Sequence, residues 1–286
     1  MNINAYAKIN IGLDVIGKRA DGYHEVRMIM QTIDLHDELD VSPVEEPGIF
    51  LTTNRKDLPV NEDNLICKAA KLMMDEYALP GGIKVRLVKN IPVAAGLAGG
   101  STDAAAVIRA INELYGLGLS TDEMAQTGVR IGADVPYCIM GGTALSEGIG
   151  EILTPLSSFP ECDIVLAKPP VSVSTAYVYK HLKLDGIVHP DIDGIITGIE
   201  TGDIYRIARG MGNVLESVTV PDEPVIGSIK DVMTAGGCVA TLMSGSGPSV
   251  FGLFDSKDKA DAVYEELRRS QPGLDIFITR TYDPNH

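Results

Sequence analysis

The segment Pro92-Val93-Ala94-Ala95-Gly96-Leu97-Ala98-Gly99-Gly100-Ser101-Thr102-Asp103 decides how this chain is read. Its glycines carry no Cβ, so the backbone is free to wrap closely around a ligand. A helical pattern follows. Ala104, Val107, Ile108, Ile111, Leu114 and Tyr115 form one apolar stripe, and Ser101 or Thr102 is the expected N-cap. A helix starting there aims its free N–H groups back at the loop and makes a cradle for an anion such as a nucleotide's phosphates. A plain glycine-rich turn before a capped helix accounts for the same residues. No G-x-x-x-x-G-K-[ST] loop occurs in the chain, and the segment is not a G-x-G-x-x-G dinucleotide fingerprint. Asp103 stands where a G-x-S-x-G nucleophile elbow needs its last glycine.

Upstream, Ile83 to Lys89 alternates as a strand, and Asn61 to Leu79 places Leu65, Ile66, Ala69, Leu72, Met73 and Tyr77 on a 3.6-residue period. The first forty residues are strand-rich, with Asn4–Val15 and Ile29–Val41 separated by a polar turn at Lys18–Gly22. Downstream, Gly116 and Gly118 end the central helix, and Ser120 with Glu123 forms a capping box that opens another helix to about Ile131. Serines and prolines then bracket a strand at 163–168, which places a domain boundary near residue 155, dividing 1–155 from 156–286. Short helices are expected between about 175 and 235. Strands at 238–243 and 249–254, a helix at 257–269 and a strand at 275–281 follow, the ending of an antiparallel sheet covered by helices.

The 286 residues are 45% hydrophobic and 22% charged, a globular composition. A net charge of −15 argues against a nucleic-acid or anionic-membrane partner held by bulk electrostatics. An anionic ligand must instead meet a local site of backbone amides and a few placed lysines. Cys67, Cys138, Cys162 and Cys238 are scattered, as buried thiols of a reducing cytosol are. His24, His36, His181, His189 and His286 show no zinc-ligand spacing. Val232–Phe254 carries no charge, but Gly236-Gly237 and Ser244-Gly245-Ser246-Gly247-Pro248 interrupt it, so two short strands around a tight loop fit better than a membrane span.

Two further segments bear on chemistry. Lys8 sits in the apolar strand Ala5-Tyr-Ala-Lys8-Ile-Asn10-Ile11, an expensive place for a cation unless a partner or a phosphate meets it. A snorkelling surface lysine is the plainer alternative. Asp134 lies among small and apolar residues in Gly132-Ala-Asp134-Val-Pro136, where turn formation before proline is the plainer alternative. A nucleotide cradle, a strand lysine and an isolated aspartate are together the parts of a phosphoryl-transfer site.

In this order and at these separations the segments resemble the motifs of the GHMP kinase superfamily, over essentially the whole chain. The most specific are Ala7 to Asn10 with Arg19-Ala-Asp-Gly-Tyr-His24, then Pro92 to Ser101, then Gly132 to Pro136. Where the middle motif commonly reads G-G-S-S, this chain has Gly99-Gly100-Ser101-Thr102, which keeps a hydroxyl. The resemblance implies an α+β, two-domain fold, with an N-terminal part like the second domain of ribosomal protein S5 and a C-terminal GHMP kinase α+β part. It implies a cytoplasmic enzyme using ATP and Mg2+ to phosphorylate the 2-hydroxyl of 4-diphosphocytidyl-2-C-methylerythritol, in the non-mevalonate isoprenoid route, as a monomer or weak homodimer.

By position, Asp134 would be the catalytic base and Lys8 would stabilise it and the transferred phosphoryl group. Pro92, Ala94, Gly96, Leu97, Ala98, Gly99, Gly100, Ser101 and Thr102 would hold the ATP phosphates, with Ser101 near the metal. Asn64 and Lys89 would lie by the adenine. Asn10 and Thr175 would meet the methylerythritol end, with Gly245 and Ser246 approaching from the glycine-serine turn. Tyr23 and Tyr179 would sandwich the cytosine while His24 reads its edge, Tyr177 being the other candidate for Tyr179. Mevalonate, phosphomevalonate or homoserine as substrate, or a non-catalytic ligand sensor, are the competing readings. The Asp21–His24 stretch speaks against the first group, and the retained Lys8 and Asp134 against the second.

Overall fold

The computed structural model describes residues 1–284, so that His286 lies outside the described residues. They form two compact units that interleave along the chain. The first takes Met1–Ala7, Leu35–Val93 and Ala98–Gly141, and the second takes Lys8–Asp34, Ala94–Leu97 and the chain from Gly142 onward.

The two long strands β1 (Asn2–Lys18) and β2 (His24–Val44) each give residues to both units. In the first unit, β3 (Gly48–Thr53) lies parallel to its neighbour β4 (Gly82–Val88), with α1 (Leu65–Glu76) between them in sequence. β4 in turn pairs antiparallel with the second half of β2, Glu38 facing Val88 and Val44 facing Gly82. α1 is shorter than the expected 61–79, because Asn64 caps its start and Ala78, at φ 47°, breaks its end.

α2 (Gly99–Leu114) is the buried centre of this unit. Ala104 to Ile108, Ala110 and Ile111 are all inaccessible, and the run of alanines lets neighbours approach closely. Burying Val107, Ile108 and Ile111 contributes roughly 1.5–3 kcal/mol each. α3 (Thr121–Val129) opens on the expected capping box, with Ser120 and Glu123 satisfying each other's backbone N–H. α4 (Val135–Met140) was not expected from the sequence, since Val-Pro-Tyr-Cys-Ile-Met reads as a turn out of context; packing against α2 and α3 makes it a helix.

In the second unit, β5 (Thr143–Gly148) pairs antiparallel with the first half of β2, Val26 facing Gly148, and β6 (Ile152–Pro155) pairs antiparallel with β5. β7 (Asp163–Lys168) matches the expected strand. The short helices α5 (Thr175–His181), α6 (Ile192–Thr201), α7 (Ile204–Gly210), α8 (Glu216–Asp222) and α9 (Pro224–Ala235) fill the interval expected to be helical. β8 (Ala240–Met243), β9 (Val250–Phe254), α10 (Lys257–Ser270) and β10 (Asp275–Arg280) complete the expected ending. The sheet runs β10-β7-β9-β8, every pair antiparallel, with α9 and α10 packed against it. The uncharged stretch 232–254 is therefore a helix end and a strand pair. Among the described residues no helix is long and apolar enough to cross a membrane.

Candidate active site

In the first unit the glycine-rich segment enters α2 differently from the expectation. The helix begins at Gly99, and the N-cap is Ala98 in the left-handed conformation, φ 56° and ψ 25°, without a side-chain cap. Ser101 and Thr102 are thus inside the first turn instead of capping it. The first helical bond runs from Thr102 N–H to the Ala98 carbonyl at 2.9 Å. The N–H groups of Gly99, Gly100 and Ser101 precede it and are the donors a helix start leaves over. Ala94, at φ 51°, is a second left-handed alanine in the same loop. Such non-glycine residues cost on the order of 1–3 kcal/mol each and concentrate at ligand clamps. Gly100 is exposed and Ser101 half-buried, whereas Pro92, Leu97 and Thr102 are buried. The side chains of those three belong to the core, which leaves the loop its backbone and Ser101 to offer.

Two expected adenine neighbours are committed to protein partners. Asn64 accepts from Ile66 N–H at 2.9 Å and donates to the Pro59 carbonyl at 2.8 Å, the work of a helix cap. Lys89 donates to Asp37 Oδ2 at 2.6 Å, Asp103 Oδ2 at 2.6 Å and the Gly99 carbonyl at 2.9 Å. Burial pushes the Asp103 carboxyl well above the usual carboxylate range; Lys89 pulls it down and neighbouring Asp37 pushes it further up. Asp134 occupies the N-cap position of α4 yet makes no side-chain cap bond, although a capping aspartate stabilises a helix by about 0.5–2 kcal/mol. Helix capping is therefore not what this half-buried carboxylate does.

The second unit gathers residues that are distant in sequence. Lys8 and Asn10 share one face of β1, being two residues apart on a strand. Both are buried, and the Lys8 ammonium donates to Asn10 Oδ1 at 2.6 Å. Among the described residues of its unit the ammonium bonds a neutral amide and is in no salt bridge with a carboxylate. The Lys8 N–H also holds the Leu97 carbonyl at 3.2 Å. The turn between β8 and β9 closes on the same place: Ser244 Oγ donates to the Gly96 carbonyl at 2.9 Å. Gly96 has φ +74°, and a Cβ there would stand 2.1 Å from the Ser244 carbonyl oxygen, a clash with backbone that no side-chain movement relieves. Gly96→Ala is accordingly expected to lower stability by at least about 1–3 kcal/mol, read as a fall in melting temperature. Ser246 Oγ lies 2.8 Å from Thr175 Oγ1, which adds α5 to the group.

A neighbouring aromatic cluster distinguishes the two tyrosines by their partners. His24 lies beside Tyr179, ring centroids 5.2 Å apart, while Tyr177 pairs with His181 at 4.0 Å. Residues i and i+2 of a helix do not share a face, so only one tyrosine joins His24. Tyr23, on the turn ahead of β2, is 60% exposed. Partial burial, and then the charge of Lys18, hold the His24 imidazole below its ordinary value. Both favour the neutral ring, which offers one donor and one acceptor.

Two contributors went unnoticed in the sequence. Asp37 sits on the buried side of an alternating strand with Leu39 and Val41, a signal that an acid there has a partner. Asn213 donates to the Met243 and Gly245 carbonyls, each at 2.8 Å, and so shapes the Gly245-Ser246 turn. Its local sequence carries no such signal.

The family models described as GHMP kinases N terminal domain and GHMP kinases C terminal match residues 64–142 and 195–273. The 4-diphosphocytidyl-2-C-methyl-D-erythritol kinase of Lachnoclostridium phytofermentans is 49% identical over 284 residues, 99% of this chain and 98% of its own length. That of Lachnospira eligens is 51% identical over 285 residues, 99% of each chain.

The chain belongs to the GHMP kinase family.

Its fold is the two-domain α+β fold of GHMP kinases. A crystal structure of 4-(cytidine 5'-diphospho)-2C-methyl-D-erythritol kinase matches it with a TM-score of 0.85 at 32% identity, covering 98% of this chain and 99% of that one. Homoserine kinase from Cytophaga hutchinsonii matches with a TM-score of 0.79 over 99% of this chain and 95% of its own, but at 19% identity, a likeness of fold alone. As a GHMP kinase the protein uses ATP.

Proposed function

We propose that this GHMP kinase transfers the γ-phosphoryl group of ATP to the 2-hydroxyl of 4-diphosphocytidyl-2-C-methyl-D-erythritol, giving the 2-phosphate and ADP, in the non-mevalonate route to isopentenyl diphosphate. The observation that carries this reading is near-full-length identity of about half to kinases of that name. Asp134 accepts the proton of the 2-hydroxyl as its oxygen bonds to the γ-phosphorus and the bond to the ADP oxygen breaks. Lys8 stabilises the charge spread over the transferred oxygens, a role supported by its burial beside neutral Asn10. The Gly96–Thr102 segment holds the phosphates through its backbone, supported by the left-handed Ala98 within it and the free N–H groups of α2.

Mg2+ binds mainly through substrate phosphates, water and one or two protein groups. Among the described residues no three acidic, histidine or cysteine side chains cluster as a protein cage, and the half-buried Ser101 hydroxyl in the first turn of α2 suits the single-ligand role. An ion held there would supply neutralisation of the phosphate charge. Asn10, Thr175, Gly245 and Ser246 face the methylerythritol end, and Tyr23 and Tyr179 flank the cytosine with His24 at its edge. The boundary near residue 155, dividing 1–155 from 156–286, falls between the segments matched by the two family models, while the compact units interleave across it and the second already takes Lys8–Asp34 and the chain from Gly142. The enzyme works in the cytoplasm as a monomer or weak homodimer, with neither nucleic acid nor membrane as partner; its net charge of −15 supports the last point.

Tyr179→Ala is expected to weaken binding of the cytidylyl substrate by roughly 1–3 kcal/mol through lost base stacking. Tyr177→Ala, whose ring is paired with His181, is expected to leave it within a few tenths. Equal effects in a titration with the substrate would overturn the pocket assignment. The reaction itself is tested by coupled ADP release with four alcohols: the cytidylyl substrate, mevalonate, phosphomevalonate and homoserine. Turnover confined to the first is expected. Turnover on another would overturn the substrate, and silence on all four would favour a ligand sensor.

A further inference from the structure

Lys89 follows β4 directly, next to the glycine-rich segment, where a lysine invites assignment to the nucleotide. Its surroundings argue otherwise. The side chain is only 3% exposed, and an ammonium has three protons, each of which here has a protein acceptor. Neither space nor a donor is left for a ligand.

The identity of those acceptors is informative. Gly99 and Asp103 are the first residue of α2 and the residue one turn later on the same face. Lys89 therefore grips the helix start at two points and ties it to Asp37 of β2. Asp37 uses its other oxygen, Oδ1, to accept from the N–H groups of Asn90 at 2.6 Å and Ile91 at 2.8 Å. Those residues immediately precede the glycine-rich loop. One carboxylate thus holds the loop's entry stem directly and its exit stem through Lys89. The absence of a side chain at Gly99 permits the approach, since a Cβ there would lie 3.1 Å from Lys89 Nζ and 3.0 Å from Ile91 Cγ2.

We infer that Asp37, Lys89 and Asp103 form a buried clamp that sets the spacing of the two stems of the phosphate loop, so that Lys89 and Asp103 are positioning residues for ATP and not contacts to it. The inference rests on the reading that the Gly96–Thr102 segment holds the ATP phosphates.

The two roles for Lys89 predict opposite results for Asp103→Ala. If Lys89 touches the nucleotide, removing a competing carboxylate leaves ATP affinity unchanged or improves it. If the clamp positions the loop, the exit stem loosens. The KM for ATP then rises about tenfold and kcat falls, while the KM for the cytidylyl substrate changes less than about twofold. Asp103→Asn keeps an oxygen for the ammonium and is expected to bring the KM for ATP back to within about threefold of the wild-type enzyme. All assays are run well below the melting temperature of each variant. Should Asp103→Ala not accumulate as folded protein, Asp103→Ser carries the same test. An unchanged or lowered KM for ATP, or an Asp103→Asn enzyme as impaired as the alanine variant, overturns the clamp. Gly100→Pro, which removes one of the leftover N–H groups in a first helical turn that tolerates proline, separates the two levels. If its KM for ATP is unchanged, the assignment of the loop fails; if it is raised while that of Asp103→Ala is not, the clamp alone fails.

Discussion

Asp134→Ala enzyme should bind ATP with near-normal affinity and turn over about a thousandfold more slowly, within the range of ~10²–10⁴ that a positioned general base contributes. The aspartate opens α4 without capping it, so little stability is at stake when its carboxylate is removed. The loss should therefore appear in kcat and leave the melting temperature nearly unchanged. Single-turnover quench measurements with saturating substrates isolate the chemical step from product release. A variant with turnover within tenfold of wild type would remove Asp134 from the role of base. Asp134→Asn, of the same shape without proton affinity, should be as slow as the alanine variant if proton acceptance is the function.

Lys8→Met should show the opposite signs for activity and stability. The substitution removes the ammonium while keeping a side chain of similar length in an apolar strand. Losing a preorganised charge from the transferred phosphoryl group should lower kcat by about 10²–10³. Among the described residues of its unit the buried ammonium bonds neutral Asn10 and no carboxylate, so removing it relieves a desolvation cost. The variant should melt at the same temperature as wild type or higher, the signature of a site in which stability is sacrificed to function. Lys8→Arg should not restore activity, because a planar fork does not fit a point charge's place between buried neighbours. A Lys8→Met enzyme that melts much earlier, or that retains near-normal kcat, would make the lysine a structural residue.

Much of the architecture was legible because its signals are local. The capping box at Ser120 and Glu123, the alternation of 163–168 and the strand–turn–strand at 238–254 each depend on residues a few positions apart, and all stand where expected. α4 was missed because six residues containing a proline have no helical signal without the neighbours they pack on. The start of α2 was misplaced by the ordinary rule for N-caps. That rule describes a helix stabilised by its own hydroxyl cap, whereas this one begins on a left-handed alanine with its first N–H groups left free.

The same division runs through the site. Sequence by itself determined which residue types are present and in what order: the glycine-rich loop, the strand lysine, the isolated aspartate and the family they resemble. These rest on short-range chemistry, the freedom of glycine and the anomaly of a charge among apolar neighbours. Only the tertiary structure decided partners. It placed Lys89 at the centre of a buried ion cluster reaching 52 positions back to Asp37. It placed Tyr179, and not Tyr177, beside His24. It also brought Ser244 onto Gly96 across 148 positions. No spacing encodes such contacts, because they follow from the packing of whole sheets and helices, and a polar side chain's role depends on which group is brought within about 3 Å of it.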